Sequence, residues 1–155
     1  MGEKGLEHYL DNSATTAVSP SAAEKAFKVM TEIYGNPSSL HTKGIEAEKE
    51  LEQARKALAE RLGAQHEEIF FTSGGTEANN LAVFGAAEAK KRSGKRIVVS
   101  SEEHSSVLEA ARHLEQNGWD VVYITPCADG TISPEDVAEQ VDKNTTLVSV
   151  MYVNN

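Results

Sequence analysis

Two adjacent glycines and a threonine, Gly74, Gly75 and Thr76, stand where an apolar run gives way to a helical pattern in EIFFTSGGTEANN. The first amide groups of a helix lack internal partners, and the helix dipole places about half a positive charge there. Glycine lets an anion approach these amides closely, and the Thr76 hydroxyl can donate one more hydrogen bond. The three residues therefore predict a phosphate site.

The common nucleotide motifs do not account for this stretch. The fingerprint GxGxxG is absent because the next glycine after Gly75 is Gly85, and the Gly-Lys-Ser/Thr of a P-loop is also missing. Glycines at a strand-to-helix turn often serve packing alone, so a phosphate site and a packing role both stay open at this point.

Polar residues that follow two other predicted strands favour the ligand site. His104 comes just after RIVVSS, and Asn154 and Asn155 come after TLVSVMYV. A lone histidine is more often structural, and asparagines after a strand are often turn formers. In an open α/β sheet, however, ligands bind beyond the carboxyl ends of the strands, so these groups and the phosphate site are predicted at one edge.

The elements that position these residues alternate from residue 68 onward. EIFFTS, RIVVSS, DVVYIT and TLVSVMYV predict four strands separated by helices, which is typical of an α/β fold with a mainly parallel sheet covered on both faces. Two further helices, 20–34 and 44–62, precede them, each with an apolar stripe.

Local signals predict where the helices begin and end. Ser19-Pro20 and Ser133-Pro134 each read as an N-cap with proline at the first helical position, and Gly63 and Gly118 stand just past helix ends. Ser106 with Glu109 reads as a capping box. In the loop YGNPSSLH, Gly35 is predicted to take a positive φ.

The composition limits which binding partners and which cellular compartment are expected. Fifteen Lys and Arg against 24 Asp and Glu give a net charge of −9, so nucleic acid is not an expected partner. No apolar stretch approaches the roughly 18 residues of a membrane span. Cys127 is the only cysteine, so no internal disulfide can form, and a cytoplasmic location is the expectation. No metal site is predicted.

Five motifs together resemble one enzyme family. YLDNSATT, YGNPSSLH, EIFFTSGGTEANNLA, SSEEHSSVLEA and LVSVMYVNN are similar, in order and spacing, to the cysteine desulfurases of the NifS/IscS type. These belong to the class V aminotransferase group of fold-type I pyridoxal-phosphate enzymes. The resemblance implies an N-terminal segment, 1–16, and the first part of the pyridoxal-phosphate-binding large domain, 17–155, with the rest of the family's sequence absent.

The resemblance also implies roles for the four candidate residues. Gly75 and Thr76 would hold the phosphate of pyridoxal 5'-phosphate, His104 would stack on the ring and shuttle protons in catalysis, and Asn155 would bond the ring hydroxyl. The family takes sulfur from L-cysteine, leaves alanine, and passes an enzyme persulfide to an iron–sulfur scaffold or another sulfur acceptor. Family members are homodimers.

Three family residues have no counterpart in this sequence: the Schiff-base lysine, the aspartate under the pyridine nitrogen and the persulfide cysteine. Cys127 does not match the last of these and is interpreted as incidental. The 155 residues alone are therefore expected to be inactive, with an open sheet edge. A piece of a longer polypeptide, or half of a split enzyme completed by a C-terminal chain, is favoured over a degenerate scaffold that docks a partner through the acidic helix 44–62. Another class V aminotransferase, such as a selenocysteine lyase, is the further alternative.

Overall fold

The computed structural model describes residues 8–154. Its contacts divide the chain between Phe71 and Thr72 into two compact units. The predicted division at residues 16 and 17 into an N-terminal segment and a large domain is not tested by this contact pattern and stays a prediction.

The described part of the first unit contains the α-helices α1 (Pro20–Glu32) and α2 (Thr42–Leu62). Ser19 caps α1 through a bond from the Ala22 amide to its hydroxyl at 3.3 Å, as predicted. Gly63 ends α2 in the left-handed conformation with φ of 66°, also as predicted. The start of α2 is capped by His41, to which the sequence assigns no role; its Nδ1 accepts a bond from the Gly44 amide at 3.4 Å.

Much of the apolar surface that the helical stripes predict is exposed in the described chain. Phe27 and Met30 on α1 are more than half exposed, and Leu62 on α2 is 71% exposed. The small residues Gly44, Ala47 and Ala59 are the ones that α2 buries. The apolar stripes correctly predicted that these segments are helices, but no described element covers their large side chains.

Two glycines allow the loop before α2 to fold back on the helix. A Cβ at Gly44 would lie 2.1 Å from the carbonyl oxygen of Ser39, and a Cβ at Gly35 would lie 2.1 Å from that of Lys43. Positive φ among the described glycines occurs at Gly63, Gly118 and Gly130, so the predicted positive φ of Gly35 is wrong. Close backbone approach is the physical reason for glycine at this position.

The first predicted strand, EIFFTS, is not formed. Its first residue, Glu68, belongs to a short 3-10 helix, His66–Glu68. Ile69 is extended but pairs with no strand of the described chain. Phe70 is 75% exposed and Phe71 46% exposed. Alternating apolar residues favour extended backbone, but a strand requires a neighbour to receive its hydrogen bonds.

The second unit alternates helix and strand. Its elements are α3 (Gly75–Lys90), β1 (Arg96–Ser100), α4 (Ser105–Gln116), β2 (Asp120–Ile124), α5 (Pro134–Gln140) and β3 (Thr145–Ser149). The three strands form a parallel sheet in the order β2-β1-β3. The α/β class and the parallel sheet are confirmed, with three strands among the described residues where four were predicted.

The core lies between the central strand and the helices α3 and α4. Ile97, Val98 and Val99 of β1 are fully inaccessible, and because successive strand residues point to opposite faces, both faces of β1 are covered. Ile97 and Val99 pack with helix residues that are all small or branched: Val83, Ala87, Val107, Ala110, Ala111 and Leu114. This packing fixes the carboxyl end of β1 relative to the first turns of both helices.

The predicted ends of the later helices agree with the structure. Ser133 caps α5 through a bond from the Asp136 amide at 3.1 Å, with Pro134 as its first residue. Gly118 follows α4 with φ of 82°. Within residues 8–154, every helix is too short or too polar to cross a lipid bilayer.

Candidate functional site

The N-terminus of α3 presents the predicted anion-binding amides. The helix begins at Gly75, and Gly74 is its N-cap with extended backbone, φ 169° and ψ 176°. A Cβ placed on Gly74 or Gly75 would meet no atom within 4 Å. Packing among the described residues therefore does not require either glycine, and the space beside these two Cα atoms is open. Thr76 is exposed at the same place.

An acidic side chain lies beside these amides and folds away from them. Glu77 Oε2 accepts hydrogen bonds from the Ser73 hydroxyl at 2.6 Å and the Ser73 amide at 2.7 Å. The hydroxyl bond and then the amide bond lower the pKa of Glu77 below its usual value. The carboxylate is thus held on the Ser73 side of the turn, where it accepts a bond from the Ser73 amide. It also adds negative charge near the anion site.

His104 is the N-cap of α4, which corrects the predicted capping box. Its Nδ1 accepts a bond from the Ser106 amide at 3.1 Å, and α4 begins at Ser105. Ser106 is thus already inside the helix, and Glu109 pairs with Arg112 one turn on instead of reaching back. The ring takes the position that a Ser, Thr, Asp or Asn side chain more commonly fills at a helix N-terminus.

A hydrogen-bonded chain joins the starts of α3 and α4. Asn79, one turn after Thr76, donates from Nδ2 to the Ser106 hydroxyl at 2.9 Å, and that hydroxyl lies 2.8 Å from His104 Nδ1. The two helices also pack along their lengths. The first turn of α3 and the His104 ring are therefore neighbours at one edge of the sheet, as predicted.

A buried carboxylate next to His104 connects the ends of β1 and β3. Glu103 is 9% exposed, and its Oε1 accepts bonds from the Ser149 hydroxyl at 2.9 Å and the Ser100 hydroxyl at 3.3 Å. Sequence reasoning did not assign Glu103 a role. The sequence signal that could have indicated it is a serine at the end of each of two apolar strands, Ser100 and Ser149, both of which need a hydrogen-bond partner.

The segment that leads to Asn155 runs beside the His104 loop. Asn154 Nδ2 donates to the Glu102 carbonyl at 2.8 Å, and the Met151 amide donates to the Ser100 hydroxyl at 3.5 Å. Asn155 itself lies outside the described residues, so its predicted role stays a prediction. Its neighbour Asn154 directly contacts the backbone of Glu102, which stands two residues before His104 in sequence.

A cavity of about 360 Å³ lies at the same edge. It is lined by residues from the β1 end, the turn after β2 and the segment after β3: Ser100, Glu102, 130–132, 150–152 and Asn154. Gly75, Thr76 and His104 do not line it. The structure therefore brings the described candidates Gly75, Thr76 and His104 to one edge, and this cavity does not enclose them.

Cys127 lies on the turn after β2 that contributes residues 130–132 to this cavity, but it does not line the cavity itself. It is exposed on a turn in which the Cys127 amide donates to Thr131 at 2.8 Å and the Gly130 amide donates back to Cys127 at 2.9 Å. Its interpretation as an incidental cysteine stays a prediction.

Comparison with known proteins decides the family. Residues 8–155 match the family model described as "Aminotransferase class-V". The chain belongs to this family. Among curated relatives, a "NifS/IcsS protein homolog" of Lactobacillus delbrueckii subsp. bulgaricus is 50% identical over 147 residues, 95% of this chain and 38% of that protein. A "Cysteine desulfurase IscS" of Shewanella baltica is 47% identical over 153 residues, 97% of this chain and 38% of that protein.

Solved structures agree with this class-V assignment. A solved structure named "NIFS-LIKE PROTEIN" superimposes with a TM-score of 0.90 at 38% identity, covering 96% of this chain and 41% of that chain. The resemblance to the N-terminal part of NifS-type proteins that the motifs predict is confirmed. The chain spans about 38% of the length of the curated relatives it matches.

Proposed function

We propose that this class-V chain is the N-terminal part of a pyridoxal-phosphate-dependent cysteine desulfurase, which takes sulfur from L-cysteine and leaves alanine. The observation that carries the proposal is the joining of the anion-binding turn of α3 to the His104 ring through Asn79 and Ser106. The name of the Shewanella relative supports the choice of reaction and substrate.

The residues at this edge fit the cofactor chemically. The open space in front of Gly74 and Gly75 admits a phosphate, and helix amides together with the Thr76 hydroxyl are suitable donors for it. The exposed His104 ring offers a flat apolar face for an aromatic ring. Glu77 does not oppose this fit directly, because Ser73 holds its carboxylate.

Each residue would have a distinct task. The Gly75 and Thr76 amides bind the phosphate, and the Thr76 hydroxyl adds one bond to it. His104 fixes the orientation of the aromatic ring by stacking, and its Nε2 hydrogen faces away from the helix cap. Asn155 bonds the ring hydroxyl. When bound, pyridoxal phosphate supplies the electron sink for bond changes at the amino acid.

Other steps would require residues that this chain does not supply. No lysine or cysteine of this chain matches the family's Schiff-base lysine or persulfide cysteine in sequence. We infer that they belong to a continuing or companion polypeptide, and that the complete assembly is a cytoplasmic homodimer. It would deliver sulfur to an iron–sulfur scaffold or to another acceptor protein.

The test uses the native gene product, isolated together with any polypeptide that continues or accompanies it. Its intact mass is measured first, and pyridoxal phosphate binding and sulfide and alanine release from L-cysteine are measured next. Stoichiometric cofactor and equal amounts of alanine and sulfide are expected. A native assembly that binds no cofactor and releases no sulfide would contradict the proposal.

Two alternatives give different results in the same experiment. A partner-binding scaffold would be isolated as a stable 155-residue chain with no companion and no cofactor; the exposed Leu58 and Leu62 on α2 are the surface that favours it. A selenocysteine lyase would bind the cofactor but release selenium from selenocysteine in strong preference to sulfur from cysteine.

A further inference from the structure

The hydrogen bonds around His104 determine which ring nitrogen carries the proton. The Ser106 amide is a donor only, and it points at His104 Nδ1 from 3.1 Å. While this capping bond is made, Nδ1 is unprotonated, and in the neutral ring the hydrogen is on Nε2.

The directions of the two other hydrogen bonds, Ser106 hydroxyl to His104 and Asn79 to Ser106, follow from the unprotonated Nδ1. Since Nδ1 has no hydrogen, the 2.8 Å contact with the Ser106 hydroxyl requires the hydroxyl to donate to the ring. The hydroxyl oxygen is then an acceptor toward Asn79, whose Nδ2 lies 2.9 Å away and can only donate. All three bonds run in one direction, from Asn79 through Ser106 to the ring.

The burial of these groups makes the arrangement rigid. Ser106 is 7% exposed, Asn79 is half-buried, and only the ring at the end of the chain is exposed. Val107 and Ala110, on the next turn of α4, are buried in the core. A hydroxyl enclosed in this way keeps its direction better than one in water, since water would offer it alternative partners.

We propose that Asn79 and Ser106 are positioning residues, which hold His104 as a neutral ring with its hydrogen on Nε2 and its plane fixed relative to the first turn of α3. The proposal rests on the proposed function, because it assumes a ligand in front of Gly75 and Thr76. A capped ring of this kind stacks and donates from Nε2. It cannot accept a proton at Nε2 while Nδ1 remains the cap, so proton shuttling by His104 would require the cap to open.

Two variants test this directly. Ser106→Ala removes the hydroxyl donor and keeps the amide. Asn79→Asp replaces the donor with an acceptor at nearly constant volume, so that the Ser106 hydroxyl turns toward residue 79 and offers its lone pair to the ring. The matched control is Ser105→Ala, the same substitution at the exposed neighbouring residue.

The first readout is independent of activity. Nitrogen NMR of imidazole-labelled protein, with His104 assigned from a His104→Gln variant, reports the tautomer in the native assembly at alkaline pH without cofactor. The parent and Ser105→Ala are expected to show the Nε2-protonated form. Ser106→Ala keeps the amide donor to Nδ1, so it is expected to stay mainly Nε2-protonated, with a minor Nδ1-protonated fraction in which the cap has opened. Asn79→Asp is expected to shift furthest toward the Nδ1-protonated form.

The second readout is kinetic. Loss of one neutral hydrogen bond corresponds to a factor of about two to ten, so Ser106→Ala is expected to lower kcat by about that factor with a smaller change in KM. Asn79→Ala combined with Ser106→Ala should be no worse than Ser106→Ala alone, because Asn79 acts through the hydroxyl.

The outcomes separate this inference from the proposed function. An active parent whose tautomer and kcat are unchanged in Ser106→Ala and Asn79→Asp overturns the positioning role and leaves the desulfurase proposal standing. A parent that neither binds pyridoxal phosphate nor releases sulfide overturns both, even if its tautomer is as expected. A tautomer shift with a fall in kcat, absent in Ser105→Ala, supports the inference.

Discussion

Replacing Gly44 with alanine should destabilise the first unit, although the same change usually stabilises a helix. Gly44 lies in the first turn of α2 and is buried. A Cβ there would lie 2.1 Å from the Ser39 carbonyl oxygen and 2.8 Å from that of Asn36. Both are backbone atoms, so the loop that carries them must move as a whole.

The magnitude follows from two opposing contributions. Alanine in place of glycine inside a helix gains about 0.5–1 kcal/mol. Overpacking a close contact costs about 1–3 kcal/mol, and the backbone nature of this contact favours the upper part of that range. We expect Gly44→Ala to lower the free energy of unfolding by about 1–2 kcal/mol.

Gly85→Ala is the matched control. Gly85 is in the interior of α3, is exposed, and a Cβ there would meet no atom within 4 Å. This variant should raise the free energy of unfolding by about 0.5–1 kcal/mol. Urea denaturation of the native assembly followed by circular dichroism measures both, and amide hydrogen exchange at 36–46 locates the effect. Stabilisation by both substitutions would refute the close-approach argument.

Three further predictions concern the edge of the sheet. Thr76→Val should weaken pyridoxal phosphate binding by about tenfold or more in an equilibrium titration, since a bond to a charged group is lost; an unchanged affinity would remove Thr76 from the site. Glu103→Ala should lower the free energy of unfolding in urea by about 2–4 kcal/mol, because the buried Ser100 hydroxyl and the half-buried Ser149 hydroxyl lose their acceptor. Glu103→Gln keeps Oε1 and should cost less; equal losses would contradict this. The pKa of Glu77 is lowered by Ser73, so its contribution is complete above about pH 4.3 and is lost as pH falls through the lowered pKa. Glu77→Gln should therefore reduce the urea midpoint at pH 7 and not at pH 2.5, and a deficit independent of pH would exclude this cause.

Helix ends were predictable because their signals are local. The caps at Ser19 and Ser133 and the left-handed Gly63 depend on bonds within four residues, and all three are confirmed. The cap of α4 was predicted two residues too late. Serine is a commoner N-cap than histidine, so the sequence favoured Ser106 with Glu109 as the capping box. In the structure the His104 ring is the N-cap.

Features that depend on distant partners were not predictable. EIFFTS has the residues of a strand, but strand formation depends on a neighbour, and none is present among the described residues. The contacts of Glu103 with Ser149 and of Asn79 with Ser106 span 46 and 27 residues of sequence. Composition gives no indication of such pairs, since their chemistry arises only when the sheet and the helices pack.

The most direct test of the account is a structure of the complete native assembly crystallised with pyridoxal phosphate. We expect the phosphate at about 3 Å from the amides of Gly75 and Thr76, with the His104 ring stacked on the pyridine and still capping α4 through Nδ1. A cofactor bound elsewhere, or one whose phosphate is held away from the start of α3, would contradict it.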